Sequence, residues 1–273
     1  MTFQEKLDAI VKKNKSLVCV GLDSEINKIP EHLKTKENAV FEFNKAIIDA
    51  THDFVCAYKP NSAFYEANGD EGIRQLKMTF DYINKTYPEV ITILDAKRAD
   101  IGNTNNGYIK YAFDWLNADG ITLHPYLGSE ALKPFLERAD KTSIILCRTS
   151  NKGAGEFQDI FSKEGEMMYK IVARKVTEEW NKLGNCLMVI GATYPEELAE
   201  VRKIAGDMTF LVPGVGAQGG DVEKTVKAGL NSQGTGMIIN SSRGIIFASS
   251  GTDFAEVACR EAKKLKEEIN KYR

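Results

Sequence analysis

VITILDAK (residues 90–97) is a run of β-branched and aliphatic residues that ends in an acid and a base. A run that is apolar nearly throughout is typical of a parallel strand covered on both faces. Charged side chains at its end then lie at the carboxyl edge of the sheet. The stretch therefore predicts a buried strand that carries a pair of opposite charges where it ends.

Seven further apolar runs of this kind recur along the chain: LVCVG (17–21), FVCAYK (54–59), GITLH (120–124), SIILCRT (143–149), LMVIG (187–191), TFLVP (209–213) and MIIN (237–240). Amphipathic stretches such as EGIRQLKMTFDYINKTY (71–87) lie between them. Eight strands, each followed by a helix, predict a closed (β/α)8 TIM barrel. Alternation alone does not prove closure, so an open doubly wound sheet is the alternative.

The first 15 residues, MTFQEKLDAIVKKNK, predict an extra N-terminal helix before the first strand. Thr2 and Glu5 have the spacing of a capping box. The segment has early acids and lacks the apolar centre of a signal peptide. No apolar run approaches the roughly 20 residues that span a bilayer.

The chain has 273 residues and a formal net charge of −2, which suits a single barrel domain over residues 1–273. Near-neutral charge predicts neither a nucleic-acid nor a membrane partner. Five cysteines without a CxxC pair predict reduced thiols, most of them buried, and hence a cytoplasmic protein. The sequence shows no metal-ligand spacing and no cofactor motif, so we expect neither a metal nor a cofactor.

Four charged residues are predicted to meet at the carboxyl end of the second and third strands. Side chains alternate along a strand, so Asp95 and Lys97 should share a face, with Lys59 beside them and Asp100 in the following loop. An ion-pair network that only holds strands in register is the alternative interpretation. Nearby carboxylates keep lysines protonated, which suits a proton donor better than a nucleophilic amine.

A glycine-rich loop, VPGVGAQGGD (212–221), follows the seventh strand and opens a helix. Its GxGxxG spacing occurs too late in the chain, and without the later acid, for a dinucleotide fingerprint. Glycine-rich backbone at a helix N-terminus after strand seven instead predicts a phosphate site. Gln218 and Arg243 would supply donors to the phosphate oxygens. A tight turn with Arg243 paired to a surface acid is the alternative.

Two other features remain open from the sequence. The polar stretch SNKGAGEFQDIF (150–161) after strand five is either a mobile lid over the site or an ordinary surface loop. His124 ends strand four, where a supporting or substrate-contacting role is possible.

Six motifs occur in a fixed order from the first strand to the last: VGLD (20–23), YKPN (58–61), DAKRADIGNTN (95–105), TSN (149–151), VPGVGAQGGD (212–221) and SSRGI (241–245). In this order they resemble the orotidine 5′-phosphate decarboxylase family, in particular its longer, type 2-like subgroup. The resemblance implies cofactor-free conversion of orotidine 5′-phosphate to uridine 5′-phosphate, the last step of de novo pyrimidine nucleotide synthesis.

The resemblance also implies roles for individual residues. Lys97 would protonate pyrimidine C6, Asp95 would face the substrate carboxylate, and Lys59 would bridge the acids and the ribose. Asp100, with Ile101 and Thr104, would be lent across a homodimer interface to the neighbouring site. The remaining substrate contacts would be Asp23 and Asn61 to the ribose, Ser150 (or Thr149) to the pyrimidine, and Gln218, Ser242 and Arg243 to the phosphate. Ser242 stands where many members have glycine.

Three other functions compete with this one. Related barrels decarboxylate or condense sugar phosphates with Mg²⁺ held by strand-end acids. A Schiff-base aldolase would use Lys97 as a neutral amine. A non-catalytic nucleotide-phosphate binding protein would keep the phosphate site without turnover.

Overall fold

A computed structural model describes residues 1–215 and 220–273, and within them eight parallel strands form a closed barrel. The strands are β1 (Val18–Gly21), β2 (Ala57–Lys59), β3 (Ile91–Arg98), β4 (Gly120–Leu123), β5 (Thr142–Arg148), β6 (Cys186–Ile190), β7 (Phe210–Pro213) and β8 (Met237–Ser241). Each strand pairs with the next along the chain, and β8 pairs with β1 through Cys19 and Asn240. This closing pair excludes the open sheet and confirms the predicted barrel.

Helices cover the outside of the barrel, so the strands are buried on both faces and need apolar side chains throughout. Their bounds are α1 (Phe3–Asn14), α2 (Glu31–Lys34), α3 (Ala39–Thr51), α4 (Ser62–Glu66), α5 (Gly69–Thr86), α6 (Gly102–Ile109), α7 (Gly128–Leu136), α8 (Gly155–Gln158), α9 (Met168–Arg174), α10 (Pro195–Ala205), α11 (Val222–Gly229), α12 (Arg243–Ile246) and α13 (Phe254–Asn270). A 3₁₀ turn (His52–Phe54) follows α3, and single π-helical stretches continue α6 (Lys110–Trp115) and α9 (Lys175–Trp180).

Helix α1 is the predicted N-terminal helix, and both hydrogen bonds of its Thr2–Glu5 capping box are present. It packs at the amino end of the barrel, where Lys6 Nζ lies 2.7 Å from Asp119 Oδ2 just before β4. Thr209, just before β7, donates a 2.9 Å hydrogen bond to Gln4 of the helix. The helix therefore contacts the amino ends of the strands and leaves the carboxyl ends to other residues.

The predicted free thiols are confirmed: Cys19, Cys56, Cys147 and Cys186 are buried and unpaired, and Cys259 is partly exposed on α13. Burial raises the pKa of the Cys19 and Cys186 thiols to about 12, so both stay protonated near neutral pH. Among the helices of the described residues, none has the length and apolar character needed to cross a bilayer.

Candidate active site

A pocket of about 450 Å³ lies at the carboxyl ends of the strands, and all eight strands or the loops after them contribute to its wall. Its lining residues are Asp23, Lys59, Asn61, Asp95, Lys97, Thr122, Leu146, Thr149, Ser150, Asn151, Gln158, Val189, Leu211, Pro213 and Asn240. The carboxyl ends are where the active sites of (β/α)8 barrels form. The charged groups lie on the β1–β3 side and the aliphatic ones on β5–β7.

Three of the four predicted charged residues meet in this pocket. Asp95 Oδ2 lies 2.8 Å from Lys59 Nζ, and Asp95 Oδ1 lies 2.7 Å from Lys97 Nζ. The side chains of Lys59 and Asp95 are 4% and 11% exposed, whereas that of Lys97 is 49% exposed. One buried carboxylate thus divides its two oxygens between two ammonium groups, and of the two lysine side chains only that of Lys97 is substantially exposed.

The charge states of this cluster follow from its pairing. Burial alone raises the pKa of the Asp95 carboxyl, but the ammonium groups of Lys59 and Lys97 outweigh it, and the net pKa falls below the usual range. Burial likewise lowers the pKa of Lys59, but Asp95 and Asp23 raise it further, and the net pKa lies above its ordinary value. Asp95 is therefore ionised and Lys59 protonated at neutral pH.

The backbone of β3 is irregular where it carries the cluster. Lys97 has a φ of 48° and Ala99 a φ of 147°, conformations that favour glycine. Leu94 pairs with Ile121 and Arg98 with Leu123, so three β3 residues lie opposite the single β4 residue between them. The side chain of Arg98 leaves the pocket for an ion pair with Glu66. The predicted shared face of Asp95 and Lys97 is thus observed, although on a bulge instead of a regular strand.

Asp100 lies apart from the other three charged residues within this chain. Its Oδ1 accepts a 2.7 Å hydrogen bond from the Ile101 amide, and its own amide donates to Asn105 Oδ1 at 2.8 Å. It does not line the pocket. Ile101 is 59% exposed and Thr104 is also exposed, so these three neighbours form part of the outer surface at the start of α6.

Two predicted ribose contacts, Asp23 and Asn61, line the pocket beside Lys59. Asp23 Oδ1 is buried and has no hydrogen-bond partner within the described residues. Asn61 caps α4 by accepting a 3.1 Å hydrogen bond from the Ala63 amide, which leaves its side-chain nitrogen available as a donor. A buried acceptor without a partner is costly unless a ligand supplies the donor.

Gln158, in the segment that follows β5, holds the end of this strand through two hydrogen bonds with Thr149. The Thr149 amide donates to Gln158 Oε1 at 2.9 Å, and Gln158 Nε2 donates to the Thr149 hydroxyl at 2.8 Å. The Thr149 hydroxyl also donates to Asn151 at 2.7 Å. Ser150 lines the same wall and packs closely on Gly191, where a Cβ would lie 2.8 Å from that of Ser150.

The segment 150–161 therefore reaches the pocket through Asn151 and Gln158 and contains the short helix α8. Arg148, whose side chain is 4% exposed, binds the segment again through Asp159 at 2.8 Å. Phe157 and Phe161 point outward and are 64% and 60% exposed. The segment borders the site, and its role as a lid stays a prediction.

The predicted phosphate contacts follow β7 and β8. Arg243 begins α12, is exposed, and makes no ion pair within the described part of the chain. The Ser242 hydroxyl donates a 3.0 Å hydrogen bond to the Gly21 carbonyl, and a Cβ on Gly21 would lie 2.8 Å from that of Ser242. Gln218 lies outside the described residues. The alternative in which Arg243 pairs with a surface acid is thus not observed.

Several pocket residues were not predicted from the sequence. Thr122, Leu146, Val189, Leu211 and Asn240 lie in the apolar runs, where they look like ordinary strand residues. Position could have indicated all but Leu211, because the other four lie in the carboxyl-terminal half of their strands. Gln158 carried no signal, since it reaches the pocket only through the fold of its segment.

His124 does not line the pocket, and its Nδ1 is buried without a hydrogen-bond partner among the described residues. Residues 1–215 and 220–273 contain no group of three or more His, Cys, Asp or Glu side chains arranged to hold a metal ion.

The fold and pocket define a (β/α)8 barrel whose strand ends carry a paired lysine–aspartate–lysine array. The family model described as orotidine 5′-phosphate decarboxylase / HUMPS family matches residues 16–257. The chain therefore belongs to the orotidine 5′-phosphate decarboxylase / HUMPS family, as the sequence motifs predicted.

Curated relatives match the chain over its whole length. It is 50% identical over 272 residues to an orotidine 5′-phosphate decarboxylase of Cellvibrio japonicus, covering 99% of this chain and 98% of that protein. It is 47% identical to the protein of the same name from Ralstonia pickettii, covering 100% of both. The structure of Leishmania donovani OMP decarboxylase superposes with a TM-score of 0.87 at 38% identity, covering 100% of this chain and 99% of that one.

Proposed function

We propose that the chain decarboxylates orotidine 5′-phosphate to uridine 5′-phosphate, with Lys97 as the proton donor to C6. The observation that carries the proposal is the array in which Asp95 pairs with Lys59 on one oxygen and with Lys97 on the other, at 2.8 and 2.7 Å, in a closed-barrel pocket. The similarity to the relatives from Cellvibrio japonicus and Ralstonia pickettii supports the proposal, because both are named for this reaction.

Lys97 is the group suited to the chemical step. Loss of carbon dioxide leaves negative charge on a ring carbon that the ring system does not absorb, so a fixed positive charge must stabilise it. The Lys97 ammonium is open to the pocket and held by Asp95. It stabilises the developing carbanion and then delivers the proton to the same carbon.

Magnitudes show that Lys97 does not act alone. Two unit charges about 4 Å apart interact by roughly 4 kcal/mol at an effective dielectric of 20. Enzymes typically lower barriers by about 8–23 kcal/mol. Binding of the phosphate and ribose, which fixes the substrate against the array, supplies the remainder. Repulsion between Asp95 and the substrate carboxylate is a secondary contribution.

The rest of the pocket provides contacts for the nucleotide. Asp23, whose Oδ1 lacks a partner in the described chain, and Asn61 accept and donate to ribose hydroxyls beside Lys59. Ser150, which lines the pocket wall at the end of β5, contacts the pyrimidine. Arg243 binds the phosphate with Gln218, and Ser242 contributes through its main chain.

The functional unit in this proposal is a homodimer in which Asp100, Ile101 and Thr104 of one subunit complete the pocket of the other. Support comes from the exposure of Ile101 (59%) just before α6 and of Tyr126 (84%) before α7. The side-chain amide of Asn105 donates a hydrogen bond to the Ala131 carbonyl, which joins α6 to α7. The two helices therefore form one surface. An exposed apolar surface beside an active site is typical of a subunit interface.

The test is a spectrophotometric assay of orotidine 5′-phosphate loss with and without EDTA. We expect turnover that EDTA leaves unchanged, because the carboxylate that Mg²⁺ would use is already paired with two ammonium groups. Loss of activity in EDTA, restored by Mg²⁺, contradicts the proposed mechanism and favours the sugar-phosphate chemistry. Binding of uridine 5′-phosphate without turnover favours the non-catalytic alternative.

A further inference from the structure

The side chain of Thr122 touches both ends of the irregular part of β3. Its hydroxyl donates a 2.8 Å hydrogen bond to Asp95 Oδ1, the same oxygen that receives Lys97 Nζ. The same hydroxyl accepts a 3.0 Å hydrogen bond from the Lys97 main-chain amide. Thr122 is 1% exposed, so water does not compete for these bonds.

The position of Thr122 explains why both bonds exist. On β3, Leu94 and Arg98 pair with Ile121 and Leu123 of β4. Three residues, 95–97, lie between the two paired residues of β3, whereas Thr122 alone lies between the two of β4. The bulge removes the regular ladder partner of the Lys97 amide, and a buried amide without a partner is costly. The Thr122 hydroxyl takes the place of that partner.

The conformation of Lys97 makes this support necessary. A φ of 48° is unfavourable for a residue with a Cβ, and such strain persists only where surrounding contacts hold it. Within the described chain, Asp95 receives donors from Lys59, Lys97 and Thr122, and only the Thr122 hydroxyl also binds the main chain of Lys97.

We infer that Thr122 is a positioning residue that keeps the Lys97 ammonium next to Asp95. Its one hydroxyl binds both the left-handed backbone of Lys97 and the Asp95 carboxylate. The inference rests on the proposed function for its kinetic consequence, but its structural content stands on the hydrogen bonds alone. Thr122 acts through Asp95 and Lys97 and does not itself exchange a proton with the substrate.

The kinetic test compares Thr122→Val with Thr122→Ser and with Thr142→Val. Valine keeps the shape of threonine but lacks the hydroxyl, and misplacement of a reacting group by about 1 Å costs roughly 100-fold in rate. We expect kcat on orotidine 5′-phosphate to fall about 10- to 100-fold in Thr122→Val. KM and the Kd for uridine 5′-phosphate should change less than about 3-fold, since uniform binding is retained.

The two other variants separate positioning from a general effect on the barrel. Thr122→Ser keeps the hydroxyl and should retain kcat within about 3-fold of the unchanged protein. Thr142 on β5 is also fully buried, and its hydroxyl has no hydrogen-bond partner in the described chain. Thr142→Val is therefore the matched control and should leave kcat unchanged. If circular dichroism shows that Thr122→Val is unfolded, Thr122→Ala provides the same comparison.

A crystal structure of the unliganded variant supplies a readout that needs no turnover. In Thr122→Val we expect Lys97 to leave the left-handed region and its Nζ to move away from Asp95 Oδ1. Unchanged kcat, an equal loss in Thr122→Ser, or an intact Lys97–Asp95 contact overturns the inference. If the unsubstituted protein does not turn over orotidine 5′-phosphate, the proposed function is contradicted. The positioning role of Thr122 is then decided by the crystal structures, without the kinetic data.

Discussion

In the array of Lys59, Asp95 and Lys97 every charge has a protein partner, whereas Arg243 after β8 has no ion-pair partner in the described chain. The array is held by β3 together with β2 and β4, the strands that pair with it on either side. Arg243 begins a four-residue helix at the surface. The two regions lie at the same end of the barrel. The charges of the array are paired within the protein, whereas the charge of Arg243 has no ion-pair partner in the described chain.

Under the proposed function, this difference separates the part of the site that performs the chemistry from the part that binds the phosphate. Charges fixed before the substrate arrives stabilise a transition state without reorganisation, and this is the condition of the array. A guanidinium without a protein partner gains its hydrogen bonds only when an anion arrives. Substitutions in the two regions should therefore affect different kinetic constants.

The largest expected effect comes from Lys97→Ala. Loss of the ammonium removes both the proton donor and the positive charge at the reacting carbon, so we expect kcat to fall at least about 10⁴-fold. The Kd for uridine 5′-phosphate, measured by calorimetry, should change little because the product lacks the carboxylate and the carbanion. Lys12→Ala, at an exposed position on α1, is the control. Near-normal turnover in Lys97→Ala would remove Lys97 from the proposed role.

A smaller effect is expected from Arg243→Ala, and it should appear in KM instead of kcat. Hydrogen bonds to a charged group contribute about 1.5–3 kcal/mol, which corresponds to a roughly 10- to 100-fold rise in KM for orotidine 5′-phosphate. The free energy of unfolding should change by less than about 0.5 kcal/mol, since Arg243 has no ion pair to lose in the described chain. Arg260→Ala, exposed on α13, is the matched control. An unchanged KM places the phosphate elsewhere.

The fold was largely predictable because its signal is local. Each strand is a short apolar run, and seven of the eight runs form strands within one residue of the predicted bounds. The run FVCAYK (54–59) forms a strand only over Ala57–Lys59, because Phe54 ends the 3₁₀ turn. Closure was not provable from alternation, since it depends on pairing between the first and last strands. The contact of Asp95 with Lys97 followed from their spacing, but the bulge and the left-handed Lys97 did not.

The parts of the site that could not be predicted depend on tertiary contacts. Thr122 looks like a strand former within GITLH, and only the bulge opposite it gives its hydroxyl two partners. Gln158 lies in a polar segment whose path is set by its contact with Thr149. Asp100 was expected beside the lysines, but the chain turns away after Arg98, and within one chain it contacts Ile101 and Asn105 instead.

The smallest expected effect concerns the pH dependence of the free energy of unfolding. It tests whether Lys59 and Lys97 keep the Asp95 carboxyl ionised. The pKa of the Asp95 carboxyl lies below its usual range, held down by Lys59 and Lys97 against the opposing effect of burial. A carboxyl with a lowered pKa stabilises the folded state above its unfolded pKa of about 3.9, and this contribution is lost as the pH falls further. Its loss therefore begins on the acid side of pH 5.

Urea unfolding of the unsubstituted protein and of Asp95→Asn at pH 6 and pH 3 measures this contribution. The unsubstituted protein should be more stable at pH 6. Its advantage should be about 1 kcal/mol smaller at pH 3, because the Asp95 carboxyl then stays ionised in the folded state but binds a proton on unfolding, which favours the unfolded state. Asp114→Asn, which removes an exposed pair with Arg138, should show little change at either pH. A constant advantage of the unsubstituted protein across this range means that Asp95 is not held ionised by the two lysines, and the contrast with Arg243 then loses its electrostatic basis.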